Sequence, residues 1–73
     1  MNGPQLPRRV RLPDAPMISA AHLRAALGVS RAVLHRWRHC YAFPASYRDG
    51  DTTWAITDDV AAWLRQYNVS VIR

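Results

Sequence analysis

Apolar residues recur at helical spacing in the first half of the chain. Leu23 and Leu27 lie one turn apart on the same helical face. Ser19 precedes them as a suitable N-cap, and Gly28 follows them where a residue without a Cβ can end a helix. The pattern predicts a helix over residues 20–27.

A second helix is predicted directly after this glycine. Ser30 is a suitable N-cap, and Leu34 and Trp37 share one face of a helix from Arg31 to about Cys40. Two short helices joined by a Gly-Val-Ser turn indicate a helix-turn-helix unit, whose second helix would present its polar face outward.

A third amphipathic helix is predicted near the C-terminus. Its apolar stripe has i, i+3, i+4, i+7 spacing and consists of Val60, Trp63, Leu64 and Tyr67. Thr57 is the predicted N-cap, two Asp residues in the first turn complement the helix dipole, and Asn68 is the predicted stop.

The segment between the second and third helices has the pattern of a hairpin. Phe43-Pro44 breaks the helix, and Ala45–Arg48 and Thr52–Ala55 are short β-prone segments around Asp49-Gly50. A hairpin in this place is a wing. We therefore expect an α+β, mainly α fold: a compact winged helix-turn-helix of three short helices and a β-hairpin wing.

The two ends of the chain differ from this central pattern. Residues 1–16 contain four of the five prolines, which predicts an extended or disordered arm. The C-terminal tail alternates like a strand, and its residues leave open a packing strand, a partner contact or a frayed end. The expected organisation is a proline- and arginine-rich flexible arm over 1–17, the winged domain over 18–68 and a tail over 69–73.

Length and composition limit the class of protein. A chain of 73 residues forms one domain with a small core, and 49% hydrophobic residues are typical of a globular protein. Cys40 is the only cysteine, which suits a reducing compartment. No apolar run approaches the ~20 residues that span a bilayer, and the N-terminus lacks the apolar stretch of a signal peptide. We expect a cytoplasmic protein that does not enter a membrane.

Charge is distributed unevenly along the chain, whose formal net charge is +5. Residues 1–48 contain eight Arg and one Asp, giving +7, whereas residues 49–73 contain two Arg and four Asp, giving −2. A basic first part beside a mildly acidic last part indicates one face for a polyanion, most often nucleic acid.

The second helix and the wing carry the candidate contacts to DNA. Arg31, at the start of the helix, is the strongest candidate for a base or phosphate contact, and Arg38 and His39 are expected at phosphates. The wing would reach the adjacent minor groove or backbone, and the arm would follow phosphates or remain a solvated tail. The candidate residues are Ser30, Arg31, Ala32, His35, Arg36, Arg38 and His39 in the helix, Tyr47, Arg48, Thr52 and Thr53 in the wing, and Arg8, Arg9 and Arg11 in the arm.

Metal binding and catalysis are disfavoured by the same residues. His35 and His39 have the i, i+4 spacing of paired ligands, but no CxxC or HExxH pattern accompanies them and the surrounding Arg residues repel a cation. No Ser/His/Asp arrangement and no phosphate-cradling glycine loop can be named. Trp37, Trp54, Trp63, Tyr67 and Phe43 are expected in the core rather than as a base-stacking platform. We expect no enzyme, no metal and no cofactor.

Several of these motifs together resemble a known group of proteins. The resemblance covers residues 18–67 and is carried by Gly28-Val29-Ser30-Arg31, Leu34, Phe43-Pro44, Trp54 and Val60-Ala61-Ala62-Trp63-Leu64. These motifs are similar to those of the small MerR-like winged-helix proteins, most of all the phage excisionases (recombination directionality factors) and the AlpA-type regulators. The chain departs from the pattern at one position. Helix-turn-helix proteins usually have a small residue four positions before the turn glycine, where this chain has Arg24.

The resemblance implies a function in DNA recombination or transcription regulation. It implies sequence-specific binding of double-stranded DNA at repeated attachment sites of a bacteriophage or other mobile element, with DNA bending. It also implies head-to-tail self-association on DNA and an integrase as partner. The sequence leaves three alternatives open: a small transcriptional regulator of the same fold, a protein-interaction module, and the DNA-binding piece of a terminase small subunit.

Overall fold

Three helices and two small sheets surround one core in the computed structural model, which describes residues 4–73. In chain order the elements are β1 (Arg9–Arg11), β2 (Met17–Ser19), α1 (Ala20–Leu27), α2 (Arg31–Cys40), β3 (Tyr47–Asp49), β4 (Thr52–Ile56), α3 (Thr57–Gln66) and β5 (Ser70–Ile72). A small α+β fold with three short helices is therefore confirmed.

The first two helices begin and end where the sequence predicts. The Ser19 hydroxyl accepts a hydrogen bond from the His22 amide, and the Ser30 hydroxyl accepts one from the Val33 amide, both at 3.2 Å. Gly28 ends α1 with a φ of 68°, in the left-handed region that glycine enters at little cost. These boundaries depend on neighbours in sequence, which is why a local pattern suffices to find them.

The predicted N-cap of the third helix is wrong. Ile56 occupies the cap position without a side-chain cap bond, and Thr57 is the first residue of α3. The reason is that α3 leaves β4 directly, so the Thr57 amide donates to the Pro16 carbonyl at 3.0 Å while its side chain turns into the core. Within residues 4–73 the buried Thr57 hydroxyl has no hydrogen-bond partner.

The predicted stop of this helix is confirmed. Asn68 has a φ of 63°, its amide donates to the Arg65 carbonyl at 3.0 Å, and the Val69 amide donates to the Leu64 carbonyl at 3.1 Å. This pair of bonds is a Schellman motif, which satisfies the last carbonyls of the helix and reverses the chain.

The expected hairpin is present within a larger sheet. β4 lies in the centre of an antiparallel sheet with the order β2-β4-β3. Asp49 pairs with Thr52, so the turn consists of Gly50 and Asp51, one residue later than the expected Asp49-Gly50, with Gly50 at a φ of 62°. Strand β2 was not foreseen, since only three residues form it and no alternation is visible over so short a run.

The N-terminal segment differs from the flexible arm expected over residues 1–17. Strand β1 pairs in parallel with β5, with Val10 opposite Val71, and residues 70–72 thereby form a packing strand. Val10 and Leu12 are 1% and 2% exposed, because alternate residues of the strand face the core. The correction has a simple cause: two apolar side chains among the arginines stabilise an ordered strand. Residues 1–3 of the expected arm lie outside the described residues.

An aromatic cluster fills the core between α2 and α3. Trp37 and Trp63 stack with ring centroids 5.6 Å apart, and Phe43 meets Trp63 edge-on at 4.7 Å. The Trp63 indole donates to the Tyr41 carbonyl at 2.9 Å. The expectation of a core position is confirmed for these three rings, all 5% exposed or less.

Two of the five aromatic residues expected in the core lie at the surface. Trp54 is half-buried, and Tyr67 is 37% exposed although its ring lies 4.8 Å from that of Trp63. Trp54 lies on the face of β4 opposite to buried Ala55, because side chains alternate along a strand.

Candidate nucleic-acid interface

A groove of about 660 Å³ lies between the start of α1, one side of α2 and the β3–β4 hairpin. All three elements contribute charged or titratable residues to its lining. Helix α1 supplies Arg24, helix α2 supplies Arg31, His35 and Arg38, and the hairpin supplies Arg48 and Asp51. Four guanidinium groups therefore face one carboxylate. We refer to this feature as the basic groove.

Helix α2 supplies the longest side of the basic groove. Arg31, His35 and Arg38 follow each other at i, i+4 and i+7, so they form one stripe along the helix. Leu34 and Trp37 are buried on the core side and hold this helix in place. The helix thus separates an apolar face from a face that carries cations.

The hairpin supplies the opposite side. Arg48 and Thr53 are cross-strand partners, so their side chains share one face of the sheet, and both line the groove together with Thr52. The Arg48 Nε donates to the Gly50 carbonyl at 3.3 Å, which ties the guanidinium to the turn.

Tyr47 belongs to the other face of the hairpin. It pairs with Trp54, and its side chain is 51% exposed. The structure therefore separates Tyr47 from Arg48 and Thr53, whereas Thr52 shares the strand face of Tyr47 but lines the groove from the end of β4 beside the turn. The physical reason is the two-residue period of a strand, which sends neighbouring residues to opposite faces.

Arg38 is the most enclosed of the basic residues on α2. Its guanidinium carbon lies 6.0 Å from the centre of the Phe43 ring, a cation–π distance. Its Nε is buried and has no hydrogen-bond partner within residues 4–73. The ring positions the guanidinium at the groove while leaving a donor unpaired.

The other predicted residues of α2 do not line the groove. Ala32, Arg36 and His39 form the neighbouring exposed stripe, and Ser30 caps the helix. Arg36 lines a second hollow of about 700 Å³ against residues 4–7. His39 lies beside the groove, since its ring centre is 4.7 Å from that of His35.

The N-terminal arginines lie on a different surface. Arg8, Arg9 and Arg11 are exposed, and Arg9 and Arg11 face away from buried Val10 on strand β1. None of the three lines the basic groove. The structure therefore divides the predicted DNA-contacting residues between two basic surfaces.

Arg24 is the one arginine of the groove that the sequence patterns did not indicate as a contact. It lies one helical turn after Ala20 on α1, and both residues line the groove together with Ala21. The available signal was the run of small residues before Arg24, because small side chains on a helix leave room beside a longer one.

The arginines of the basic groove outnumber its single carboxylate, Asp51, and none of them is ion-paired within residues 4–73. Within residues 4–73, Arg73 and Asp58 form the one ion pair, and both lie outside the groove.

In the same part of the chain no three His, Cys, Asp or Glu side chains come together as a metal site. No helix there is long and apolar enough to cross a membrane.

Comparisons with protein-family models, with curated proteins and with solved structures give no significant match for this chain.

Proposed function

We propose that this chain is a sequence-specific double-stranded DNA-binding protein and not an enzyme. In this proposal α1 and α2 are a helix-turn-helix, α2 is the recognition helix, and the β3–β4 hairpin is the wing. The observation that carries the proposal is the basic groove, where four guanidinium groups from three elements face one carboxylate, Asp51, and form no ion pair with it. Burying such a set against a polyanion releases counterions, which gives the binding energy a strong dependence on salt.

Helix α2 is suited to the major groove. Its two exposed stripes present Arg31, His35, Arg36 and His39 over one broad face, and a helix of this diameter fits that groove. Exposed Ala32 offers a methyl group to thymine, whereas the arginines offer guanidinium donors to phosphate or guanine. The chemistry therefore favours backbone contacts and shape readout over a dense set of base hydrogen bonds.

The wing and the β1 strand would extend the contact. Arg48, Thr52 and Thr53 face the same groove as α2, so a backbone lying against α2 would meet them. Arg9 and Arg11 on β1 form a second basic surface, on a rigid strand rather than on a mobile arm.

Within this class we propose an excisionase of a phage or other mobile element, acting in the cytoplasm with an integrase. The support is the resemblance of the motifs between residues 18 and 67. An excisionase loads head to tail on repeated sites and bends the DNA, whereas a small transcriptional regulator more often binds a palindrome as a dimer. A circular-permutation gel shift on selected sites distinguishes them, because it reports both stoichiometry and bending.

The experiment that tests DNA binding is selection of bound fragments from the source genome, followed by affinity measurements. We expect Arg31→Ala to weaken binding to a selected duplex by about 10-fold or more, the loss of one charge-assisted bond. Arg65→Ala is the matched control, since Arg65 is exposed on α3 and outside the groove. If the protein binds no duplex at low salt, the proposal is wrong, and a protein-interaction module becomes the better hypothesis for its function.

A further inference from the structure

We propose that Arg24 binds a backbone phosphate of the DNA strand that passes between α2 and the wing. Helix α1 would then be part of the interface and not only a support for α2. This inference rests on the proposed function. It names the part of the ligand that occupies the basic groove: a phosphodiester of one strand.

The backbone of Arg24 is held in place by the end of α1. Its carbonyl accepts hydrogen bonds from the amides of Gly28 and Val29, the latter at 3.1 Å. The turn that joins the two helices therefore fixes the Cα of Arg24 relative to α2. No backbone rearrangement is therefore needed for the Arg24 side chain to bind a ligand, although its own rotamers must still be ordered.

Arg24 lines the basic groove with Arg31 and Arg38, and no carboxylate within residues 4–73 forms an ion pair with it. The residue is half-buried and lies among other guanidinium groups, so an anion that binds there meets several positive charges at once.

The position within the groove favours phosphate over a base edge. If α2 enters the major groove and the wing the minor groove, the surface between them faces the phosphate ridge that separates the two. Arg24 lines the groove between α1, α2 and the wing, and so do Ser19, Ser46 and Thr53, whose side chains carry hydroxyl groups. A guanidinium with neighbouring hydroxyls matches the geometry and charge of a phosphodiester.

Arg38 gives independent support for an anion at this place. Its Nε is a buried donor without a partner within residues 4–73, and its position over the Phe43 ring limits how far it can move. The Nε itself is closed to solvent, so a phosphate in the groove would meet the terminal nitrogens of this guanidinium. No carboxylate within residues 4–73 forms an ion pair with Arg38, so its charge is available to an anion there.

The test is the salt dependence of binding to one short mixed-sequence duplex, measured by fluorescence anisotropy. Arg24→Gln keeps most of the side-chain stem and removes the charge. We expect it to reduce the slope of log K against log salt by about 0.9, the value for one phosphate contact. The affinity advantage of the wild type would then shrink about 3.5-fold between about 50 and 200 mM salt.

Two controls make the result specific to Arg24. Arg24→Lys is expected to retain the wild-type slope, because it restores the charge. Arg65→Gln removes the same charge from α3, outside the groove, and is expected to leave the slope unchanged. A wild-type slope for Arg24→Gln would overturn the inference while DNA binding stands, and so would an equal loss for Arg65→Gln. Absence of binding by the wild type would instead overturn the proposed function.

A second measurement locates the contact on the DNA. Single methylphosphonate linkages, which are uncharged, are placed one at a time along a selected site. We expect one position to weaken the wild type but to have little further effect on Arg24→Gln, because the two changes remove the same interaction. If neutral linkages weaken both proteins equally at every position, Arg24 does not bind a phosphate.

Discussion

Helices α2 and α3 have the same length but differ in how many of their residues are buried. Each contains ten residues, but α2 buries two of them, Leu34 and Trp37, whereas α3 buries five. The buried residues of α3 are Thr57, Val60, Ala61, Trp63 and Leu64. Hydrophobic burial is the main favourable term in folding, so α3 contributes more to stability than α2.

The two helices also differ in where their charged residues lie. Helix α3 begins with Asp58 and Asp59 and carries Arg65 in its last turn, an arrangement that complements the helix dipole. Helix α2 begins with Arg31 and has no acidic residue in its first turn, which opposes the dipole at that end. At its other end Arg38 and His39 complement the dipole as Arg65 does in α3, so the two helices differ in dipole complementarity at their N-termini.

The largest effect is expected from removing the ring at the centre of α3. Trp63→Ala deletes a residue that contacts Trp37, Phe43 and Tyr67, and it leaves the Tyr41 carbonyl without its indole donor. We expect a loss of about 3–5 kcal/mol in the free energy of unfolding, enough to unfold much of a small domain. Urea denaturation followed by far-UV circular dichroism measures it.

The matched control for this change lies on α2. Arg36→Ala is expected to alter the free energy of unfolding by about 0.5 kcal/mol or less, because the residue is exposed. An equal loss for both variants would contradict the division of roles between the two helices.

The next effect tests whether the N-terminal strand belongs to the stabilising part of the molecule. Leu12 is 2% exposed, and its amide donates to the Ile72 carbonyl at 2.8 Å. We expect Leu12→Ala to lower the free energy of unfolding by about 2–5 kcal/mol. Exposed Arg11→Ala serves as the control, and a change below about 0.5 kcal/mol for both variants would show that residues 8–12 form an arm after all.

A smaller effect of opposite sign is expected at the start of α3. The Thr57 hydroxyl is buried without a partner within residues 4–73, and valine has nearly the same shape without it. We expect Thr57→Val to raise the free energy of unfolding by about 1 kcal/mol, since an unpaired buried polar group is costly. Thr52→Val, at an exposed position, is the control for the effect that a Thr-to-Val change has on stability wherever it is made. If Thr57→Val instead lowers the free energy of unfolding, the Thr57 hydroxyl must be paired and the prediction is wrong.

The smallest effect concerns the ion pair between Arg73 and Asp58. The Asp58 side chain is 79% exposed, so water and salt screen the pair. We expect Arg73→Ala to change the free energy of unfolding by less than about 1 kcal/mol, and less still at high salt. A double-mutant cycle with Asp58→Asn separates the energy of the ion pair from the effect of Asp58 on the helix dipole. A coupling energy well above about 1 kcal/mol would contradict this prediction.

Features of the fold that depend on sequence neighbours were predictable. These features depend on contacts within a few residues of each other in the chain. They are the caps at Ser19 and Ser30, the stops at Gly28 and Asn68, and the hairpin. Thr57 shows the limit of this reasoning. It has the chemistry of a cap, but a strand paired with β2 delivers it into the core instead.

The candidate site was predictable in part for the same reason. The i, i+4, i+7 stripe of α2 and the arginine of the hairpin follow from their own elements. Their meeting in one groove, the inclusion of Arg24 and the exclusion of Tyr47 depend on how elements pack and on the strand register. A three-residue strand carries too little alternation to reveal its register from sequence.

The local sequence predicts the three helices, the N-caps of α1 and α2, the stops at Gly28 and Asn68, the hairpin and the basic character of α2, because propensity, capping and periodicity act over short distances. Contacts between distant segments set the pairing of β1 with β5, the burial of Val10 and Leu12, and the groove that arginines from three elements share. Those outcomes require residues far apart in the chain to pack together, and the stability of each contact depends on all the others.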